Sequence, residues 1–171
     1  MIRSLPPGYQ CGDECTSEEK AAYADLQVKA IYNALKENYR VSYVNLDSSF
    51  EPMGYVQRIS TPDVSLGLQS ANCIDGAVLF ASALEALTMR PPYIVMIPGH
   101  AYVAWATTDD GDEIHALETT MLSTNTFEEA LAAGQEEFET NWDDLDGSDG
   151  SNGYCLVDVK AARDAQIYPV K

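Results

Sequence analysis

The sequence predicts an α+β fold in which helices pack against an antiparallel sheet. A helical segment that begins near Asn72 is apolar on nearly all sides, which is typical of a buried central helix. Three β-rich runs follow it along the chain, and Pro98-Gly99 joins the first two as a tight hairpin. One buried helix followed by consecutive antiparallel strands indicates this fold class.

The chain has 171 residues, enough to bury a hydrophobic core, and we expect one domain over residues 1–171. Its apolar share of 46% and charged share of 22% are typical of a globular protein. Residues 1–15 contain a Pro-Pro-Gly sequence and are expected to form an extended leader. The sequence has no apolar run of membrane-spanning length and no secretory signal pattern, so a cytoplasmic protein without a membrane partner is expected.

The formal net charge of −17 argues against nucleic-acid or anionic-membrane partners, because those surfaces attract clustered lysine and arginine. Much of this charge lies in residues 136–149. A solvated acidic surface is the simplest interpretation, and a preference for basic substrates is the alternative. Residues 143–149 do not have the spacing of an EF-hand loop, so we expect neither a metal site nor a cofactor.

Three of the four cysteines carry little chemical signal. Cys11 and Cys15 lie four residues apart without a nearby histidine, which is at most half of a metal site. They are expected to be free thiols in a reducing compartment, with a disulfide between them as the alternative. Cys155 lies within an apolar segment and is expected to be a buried small hydrophobic residue.

The first helix is predicted to begin after Thr16, because this N-cap threonine is followed by Glu18 and Glu19 in the first turn. Apolar residues at three-four spacing continue the helix for about five turns. Shorter elements are expected next: a strand over residues 41–46, a loop over 47–53 and an extended segment over 55–59.

The central helix is predicted to begin at an Asn72 N-cap, with Asp75 near its positive end, and to stop at the prolines 91 and 92. The three strands after it are expected over residues 93–97, 100–107 and 113–118. The sequence TFEE at residues 126–129 predicts a capping box for a helix that continues to about residue 138. The last expected elements are a polar loop over residues 143–153, a strand over 154–159 and a helical turn over 161–165.

Cys73 has the clearest chemical signal in the chain. A cysteine attacks as its thiolate, and the N-terminus of a helix lowers the pKa of a thiol placed there. Asp75 puts an anion in the same turn and partly opposes this effect. A cationic histidine is therefore expected to supply most of the activation, and His100 is the candidate.

Strand alternation and antiparallel pairing predict that His100 and Glu118 meet at one end of a hairpin. His100 begins its strand, and Glu118 ends the next strand 18 residues later. A Glu118 carboxylate that accepts from one ring nitrogen leaves the other nitrogen facing Cys73. Alternation turns His115 to the opposite face, where a surface or structural role is expected. The order cysteine, histidine, acid is that of a nucleophile, its base and the group that orients the base.

Several segments resemble the transglutaminase-like superfamily of papain-related cysteine enzymes. The resemblance covers roughly residues 50–121, the expected catalytic core, with Glu118 where the superfamily more often has aspartate. The segment QRISTP is similar to one that precedes the cysteine in bacterial members. The matching segments are QRISTP at 57–62, NCID at 72–75, LFASALEAL at 79–87, GHAY at 99–102 and ETT at 118–120.

The resemblance implies a papain-like core, in which a buried helix carries Cys73 and packs on an antiparallel sheet that carries His100 and Glu118. It implies that the Cys73 thiolate attacks an amide carbonyl of a peptide or protein substrate and forms a thioester. Water as acceptor gives a thiol protease or a deamidase, a hydrolase in either case, and an amine gives a transglutaminase.

The oxyanion formed in such a reaction needs hydrogen-bond donors. The backbone N–H of Cys73 is one candidate, and the side-chain amide of Gln57 or Gln69 is the other, with Gln57 favoured. Tyr102 shares a strand face with His100 and is a candidate to line the substrate cleft, although packing is the simpler role for it.

Two other functions stay open from the sequence. A catalytically idle module would use the same cleft to bind a peptide or a protein partner, and the short chain favours it. Arylamine acetyltransferases have the same order of cysteine, histidine and acid, but the chain has no evident extension for a thioester cofactor. The acyl donor, the acceptor and the oligomeric state are not fixed by the sequence.

Overall fold

The computed structural model describes residues 16–45, 59–87, 92–107 and 113–168. The expected leader, with Cys11 and Cys15, and the loop expected at 47–53 lie outside these residues. Within them the chain is an α+β structure with an antiparallel sheet, so the predicted fold class is confirmed at that level.

The elements of the described residues alternate between helices and short strands. The helices are α1 (Ser17–Asn33), α2 (Pro62–Leu68), α3 (Cys73–Ala86), α4 (Phe127–Thr140), α5 (Trp142–Leu145) and α6 (Val159–Asp164). The strands are β1 (Ser42–Tyr43), β2 (Ser70–Ala71), β3 (Pro92–Ile97), β4 (His100–Ala106), β5 (Ile114–Leu117) and β6 (Cys155–Asp158). A π-helical turn at Ala34–Asn38 extends α1, and a 3₁₀ turn at Thr119–Met121 follows β5.

The main sheet has the strand order β5-β4-β3-β6, and each neighbouring pair is antiparallel. Ile97 pairs with His100 across the predicted hairpin. Gly99 has a φ of 81° in this turn, a conformation that glycine adopts without steric cost. On the other side of β4, Val103 lies opposite Leu117 of β5. The three consecutive antiparallel strands that the sequence predicts are therefore confirmed.

Helices cover both faces of the main sheet. On one face α1 and α3 pack over Val103, Trp105 and Leu117, which are fully buried. On the other face Phe138 of α4 and Leu145 of α5 form a second apolar cluster with sheet residues. Helix α4 contributes to both clusters because it packs along β5, which is an edge strand.

Helix α3 begins where the sequence predicts. Asn72 Oδ1 accepts a hydrogen bond of 2.9 Å from the Asp75 N–H, so Asn72 is the N-cap. Side chains on several sides of the helix are buried, including Phe80 and Leu84, as expected for a central helix. The predicted capping box of α4 is formed, and the predicted N-cap of α1, Thr16, forms a capping box with Glu19 as well. None of the helices in the described residues has both the length and the apolar composition of a membrane span.

Three elements differ from the expectations. Helix α2 was not predicted, although Pro62 at its first position and Asp63 in its first turn are helix-start signals. The strand expected over 41–46 is reduced to β1, which pairs in parallel with β2 in a separate small sheet. The polar loop expected from residue 143 begins as helix α5, where Trp142 packs against Phe138 with ring centroids 5.3 Å apart.

Helix α4 meets β5 backbone to backbone at Gly134. A Cβ atom at this position would lie 2.7 Å from Ala116 O, Leu117 C and Glu118 N. The Glu118 N–H donates a hydrogen bond of 3.0 Å to Ala130 O of the same helix. The missing side chain at residue 134 therefore allows α4 to approach β5 and to bind the residue that follows the strand.

We expect Gly134→Ala to lower the free energy of unfolding by about 1–3 kcal/mol, the usual cost of overpacking, because backbone atoms block the new methyl group. Gly67→Ala in α2 is the matched control, because a Cβ there meets no atom within 4 Å and alanine is the better helix former. Urea unfolding of both variants measures the difference. Equal transition midpoints would contradict the close approach of α4 to β5.

Candidate active site

Cys73 is the first residue of α3, directly after the Asn72 N-cap. The chain reaches this point through Gln69, which ends α2 in the left-handed conformation with φ of 54°, and through β2. Because β2 pairs with β1, the approach to Cys73 is held by backbone hydrogen bonds, from Ser42 N–H to Gln69 O at 3.0 Å and from Val44 N–H to Ala71 O at 3.0 Å. Cys73 is a free cysteine, and the residue is partly exposed.

Asp75 lies in the same helical turn as Cys73 but has a separate partner. Its side chain is buried, and Oδ1 accepts a hydrogen bond of 2.7 Å from the Ser60 N–H. This bond ties the chain segment before α2 to the N-terminus of α3. Asp75 therefore has a structural role as the anchor of this segment, in addition to the charge that the sequence analysis expects to oppose the thiolate.

His100 and Glu118 are in direct contact, in the arrangement that strand alternation predicts. His100 Nε2 lies 2.6 Å from Glu118 Oε2. The other oxygen, Oε1, accepts hydrogen bonds from the Thr120 N–H at 2.8 Å and from the Thr120 hydroxyl at 2.6 Å. The Glu118 carboxylate is thus fixed by the turn after β5 and holds the imidazole from one side.

The His100 imidazole also interacts with the Cys73 thiol, and the two residues line the same cleft. Since Glu118 occupies Nε2, Nδ1 is the nitrogen that remains for the sulfur. The hydrogen bond from His100 is the main cause that lowers the pKa of Cys73 below 9.0, and burial opposes the shift. The charge of His100 and the backbone N–H groups of Ile74 and Ala101 lower this pKa further.

The same interaction raises the pKa of His100. Its pKa rises from 6.5 to about 10, first through the hydrogen bond with Cys73 and second through the hydrogen bond with Glu118, while burial opposes the rise. A lower thiol pKa and a higher imidazole pKa both favour an imidazolium–thiolate pair at neutral pH. The site is therefore arranged for a cysteine nucleophile.

The surroundings of His100 are acidic. Between Arg90 and Lys160 the sequence contains no lysine or arginine. Glu137 of α4 has its Oε2 3.7 Å from His100 Nε2, and its ligand atom lies within 4.8 Å of those of His100 and Glu118. Carboxylates rather than cations thus surround the imidazole, which favours its protonated form.

A cleft of about 570 Å³ opens beside Cys73 and His100. It extends from the start of α3 across the β3–β4 hairpin to the beginning of β6. The other described residues that line it are apolar, glycine or cysteine: Ile74, Met96, Ile97, Pro98, Gly99, Ala101, Gly150, Gly153 and Cys155. Apart from His100, the described residues that a substrate would meet beside the thiol carry no charge.

The structure does not bring the other predicted site residues to this cleft. Tyr102 is completely buried under His100, with ring centroids 5.8 Å apart, so its expected place on the cleft surface is wrong. Gln69 is exposed, and its amide donates to Tyr39 O at 2.9 Å, so this donor is already used away from the thiol. Gln57 lies outside the described residues.

The structure contradicts the prediction for Cys155 and agrees with the prediction for His115. Cys155 is partly exposed and lines the cleft, so the expectation that it is buried is wrong. His115 binds Asp25 of α1, with Nδ1 2.9 Å from Oδ1, and packs edge-on against Trp105. This is the structural role expected for His115 from strand alternation.

Two residues near Cys73 and His100 were not predicted as part of the site. Glu137 could have been found from the capping box of α4, because it stands between Gly134 and Phe138, which both face the sheet. Tyr43 of β1 carries no such signal. Burial raises the pKa of Tyr43, and the charges of Cys73 and Glu118 raise it further, so Tyr43 lies near the thiol and the carboxylate.

One group of side chains in the described residues could hold a metal ion. The ligand atoms of His100, Glu118 and Glu137 all lie within 4.8 Å of one another. A cation at this point would have to replace the hydrogen bond between His100 and Glu118, so cation binding and the histidine–glutamate pair exclude each other.

Comparison of the chain with models of protein families, with curated proteins and with solved structures gives no match.

We expect iodoacetamide to alkylate Cys73 readily below about pH 8, because the contact with His100 lowers the thiol pKa. His100→Gln removes the imidazolium, so the alkylation of Cys73 should move to higher pH. The matched control is His115→Gln, which removes the other histidine and should leave the profile unchanged. Mass spectrometry of the labelled peptide separates Cys73 from the remaining cysteines. The same pH profile for both variants would contradict activation by His100.

Proposed function

We propose that this protein is a cysteine-dependent amide hydrolase or acyltransferase that acts on peptides or proteins through a thioester intermediate. The observation that carries the proposal is the continuous contact from the Cys73 thiol through His100 to the Glu118 carboxylate. The position of the thiol at a helix N-terminus and that of the histidine on an antiparallel strand agree with the resemblance to the transglutaminase-like superfamily. A papain-like core is part of the same proposal.

In the first half-reaction the Cys73 thiolate attacks the carbonyl carbon of the amide. A carbon–sulfur bond forms, and the carbon–nitrogen bond breaks as the His100 imidazolium gives its proton to the leaving amine. In the second half-reaction neutral His100 takes a proton from water or from an amine acceptor. The acceptor attacks the thioester, Cys73 leaves as thiolate, and the imidazolium is restored.

Glu118 keeps His100 in the orientation that both half-reactions need. The carboxylate also favours the imidazolium, which must be present when the amine leaves. The oxyanion would be stabilised by the Cys73 N–H, because N–H groups in the first turn of a helix have no carbonyl partner within the helix. The apolar cleft supports binding of an uncharged part of the substrate beside the scissile amide.

We expect Glu118→Gln to lower the rate of acyl transfer by roughly 10²–10⁴-fold, because the amide keeps the shape of the side chain but not its charge. Peptides with side-chain and backbone amides would be incubated with hydroxylamine, which traps a thioester as hydroxamate. Without the trap, the products distinguish peptide cleavage, deamidation and amine transfer. Cys73→Ala is the control for uncatalysed reaction. If the wild-type protein formed no acyl-enzyme with any amide class and yet bound peptides, the idle binding module would be the better interpretation.

The cleft predicts a preference for apolar groups beside the reacting carbonyl. Peptide chloromethyl ketones with leucine next to the reactive group should alkylate Cys73 faster than those with aspartate, relative to iodoacetamide for the same protein. Cys155→Trp occupies part of the cleft and should reduce this preference. Equal relative rates for the leucine and aspartate reagents in the wild-type protein would contradict the assignment of the cleft as substrate site.

A further inference from the structure

Glu137 is the acidic residue of α4 that reaches the catalytic constellation. Its Oε2 lies 3.7 Å from His100 Nε2, and about one third of its side chain is exposed. Its ligand atom and those of His100 and Glu118 all lie within 4.8 Å of one another, and Oε1 of Glu118 is already bound by Thr120. The carboxyl groups of Glu118 and Glu137 therefore meet on the same side of the imidazole.

A hydrogen bond between two carboxyl groups requires a proton, because two ionised carboxylates are both acceptors. Burial raises the pKa of Glu137, and the charge of Glu118 raises it further against the opposing effect of His100. Burial also raises the pKa of Glu118, but the hydrogen bonds from His100 and Thr120 outweigh it and the net shift is downward. Of the two carboxyl groups, Glu137 is therefore the one in which the protonated, hydrogen-bond-donating form is favoured.

The place of Glu137 follows from the docking of α4. Gly134, one helical turn earlier, contacts the backbone of β5 without a side chain between them. Phe138, the next residue, is buried in the apolar cluster on this side of the sheet. These two contacts fix the rotation of α4 and direct residue 137 to the end of β5. Glu136 on the same helix is exposed.

We propose that Glu137 is a positioning residue of the Cys73–His100–Glu118 triad. When protonated, it donates to Glu118 and holds that carboxylate against His100. When ionised, it adds a second negative charge beside the imidazole and maintains the imidazolium to higher pH. The role in catalysis rests on the proposed function, whereas the effect on His100 is independent of any substrate.

The groups that face His100 come from each element around it. They are the Cys73 thiol of α3, the Glu118 carboxylate after β5, the Glu137 carboxyl of α4 and the buried Tyr102 ring of β4. Ionisation of Glu137 places a negative charge beside the imidazole. The new charge then raises the pKa of His100, so the sign of the effect is a wider pH range for the imidazolium.

Glu137→Gln separates the two parts of this role, because the amide still donates to Glu118 but cannot ionise. Titration of His100 by nitrogen NMR should show a lower His100 pKa in this variant than in the wild type. Glu137→Leu should also show a lower His100 pKa than the wild type. Because leucine cannot donate to Glu118, this variant should in addition transfer the acyl group more slowly than Glu137→Gln at a pH where Glu137 of the wild type is protonated. Glu136→Gln is the matched control, because it removes one exposed carboxylate from the same helix.

An unchanged His100 titration in Glu137→Gln, or an equal shift in Glu136→Gln, would overturn the proposal. A wild-type titration that changes on addition of EDTA would assign Glu137 to a cation site and would also overturn it. Failure of the proposed function is a separate result: the wild type would then form no acyl-enzyme, while the His100 titration would still respond to Glu137→Gln.

Discussion

The hydrogen bond between His100 and Glu118 depends on the register of β4 and β5, and the rest of the site depends on that bond. Val103 lies opposite Leu117, so residue 118 continues the strand opposite Tyr102 and lies diagonal to His100. Diagonal neighbours in a sheet have backbones about 7–8 Å apart, a distance that only a long side chain spans. The glutamate at this position therefore fits the register, where a shorter aspartate would need a different approach of the two strands.

Helix α4 stabilises the end of β5 in this register. The Glu118 N–H is bound by Ala130 O, and Gly134 lets the helix lie directly on the strand. The same docking presents Glu137 to the imidazole. A single packing contact thus controls both carboxyl groups beside His100, so the stability of the edge strand and the electrostatics of the site are physically coupled.

The alternation of side chains along a strand correctly predicts which residues share a face of the sheet. It does not predict how deeply a residue is buried or how a helix packs against the sheet. Strand alternation was sufficient for the contact of His100 with Glu118 and for the separate place of His115. It also assigned Tyr102 to the correct face, but parity does not tell whether a face is open, and Phe138 and Leu145 close that one. The prediction that Cys155 is buried is wrong because an apolar segment can line a cleft as well as a core. Glu137 depends on how α4 docks, which is a long-range property.

The acidic composition has a specific consequence around the proposed nucleophile. Carboxylates near a thiol disfavour its thiolate, so the charge around Cys73 would by itself oppose activation. An imidazolium–thiolate pair is neutral overall, however, and its positive member lies nearer to Glu118 and Glu137. The carboxylates therefore stabilise the imidazolium more than they destabilise the thiolate. In a segment without lysine or arginine, His100 is the residue whose positive charge stabilises a Cys73 thiolate.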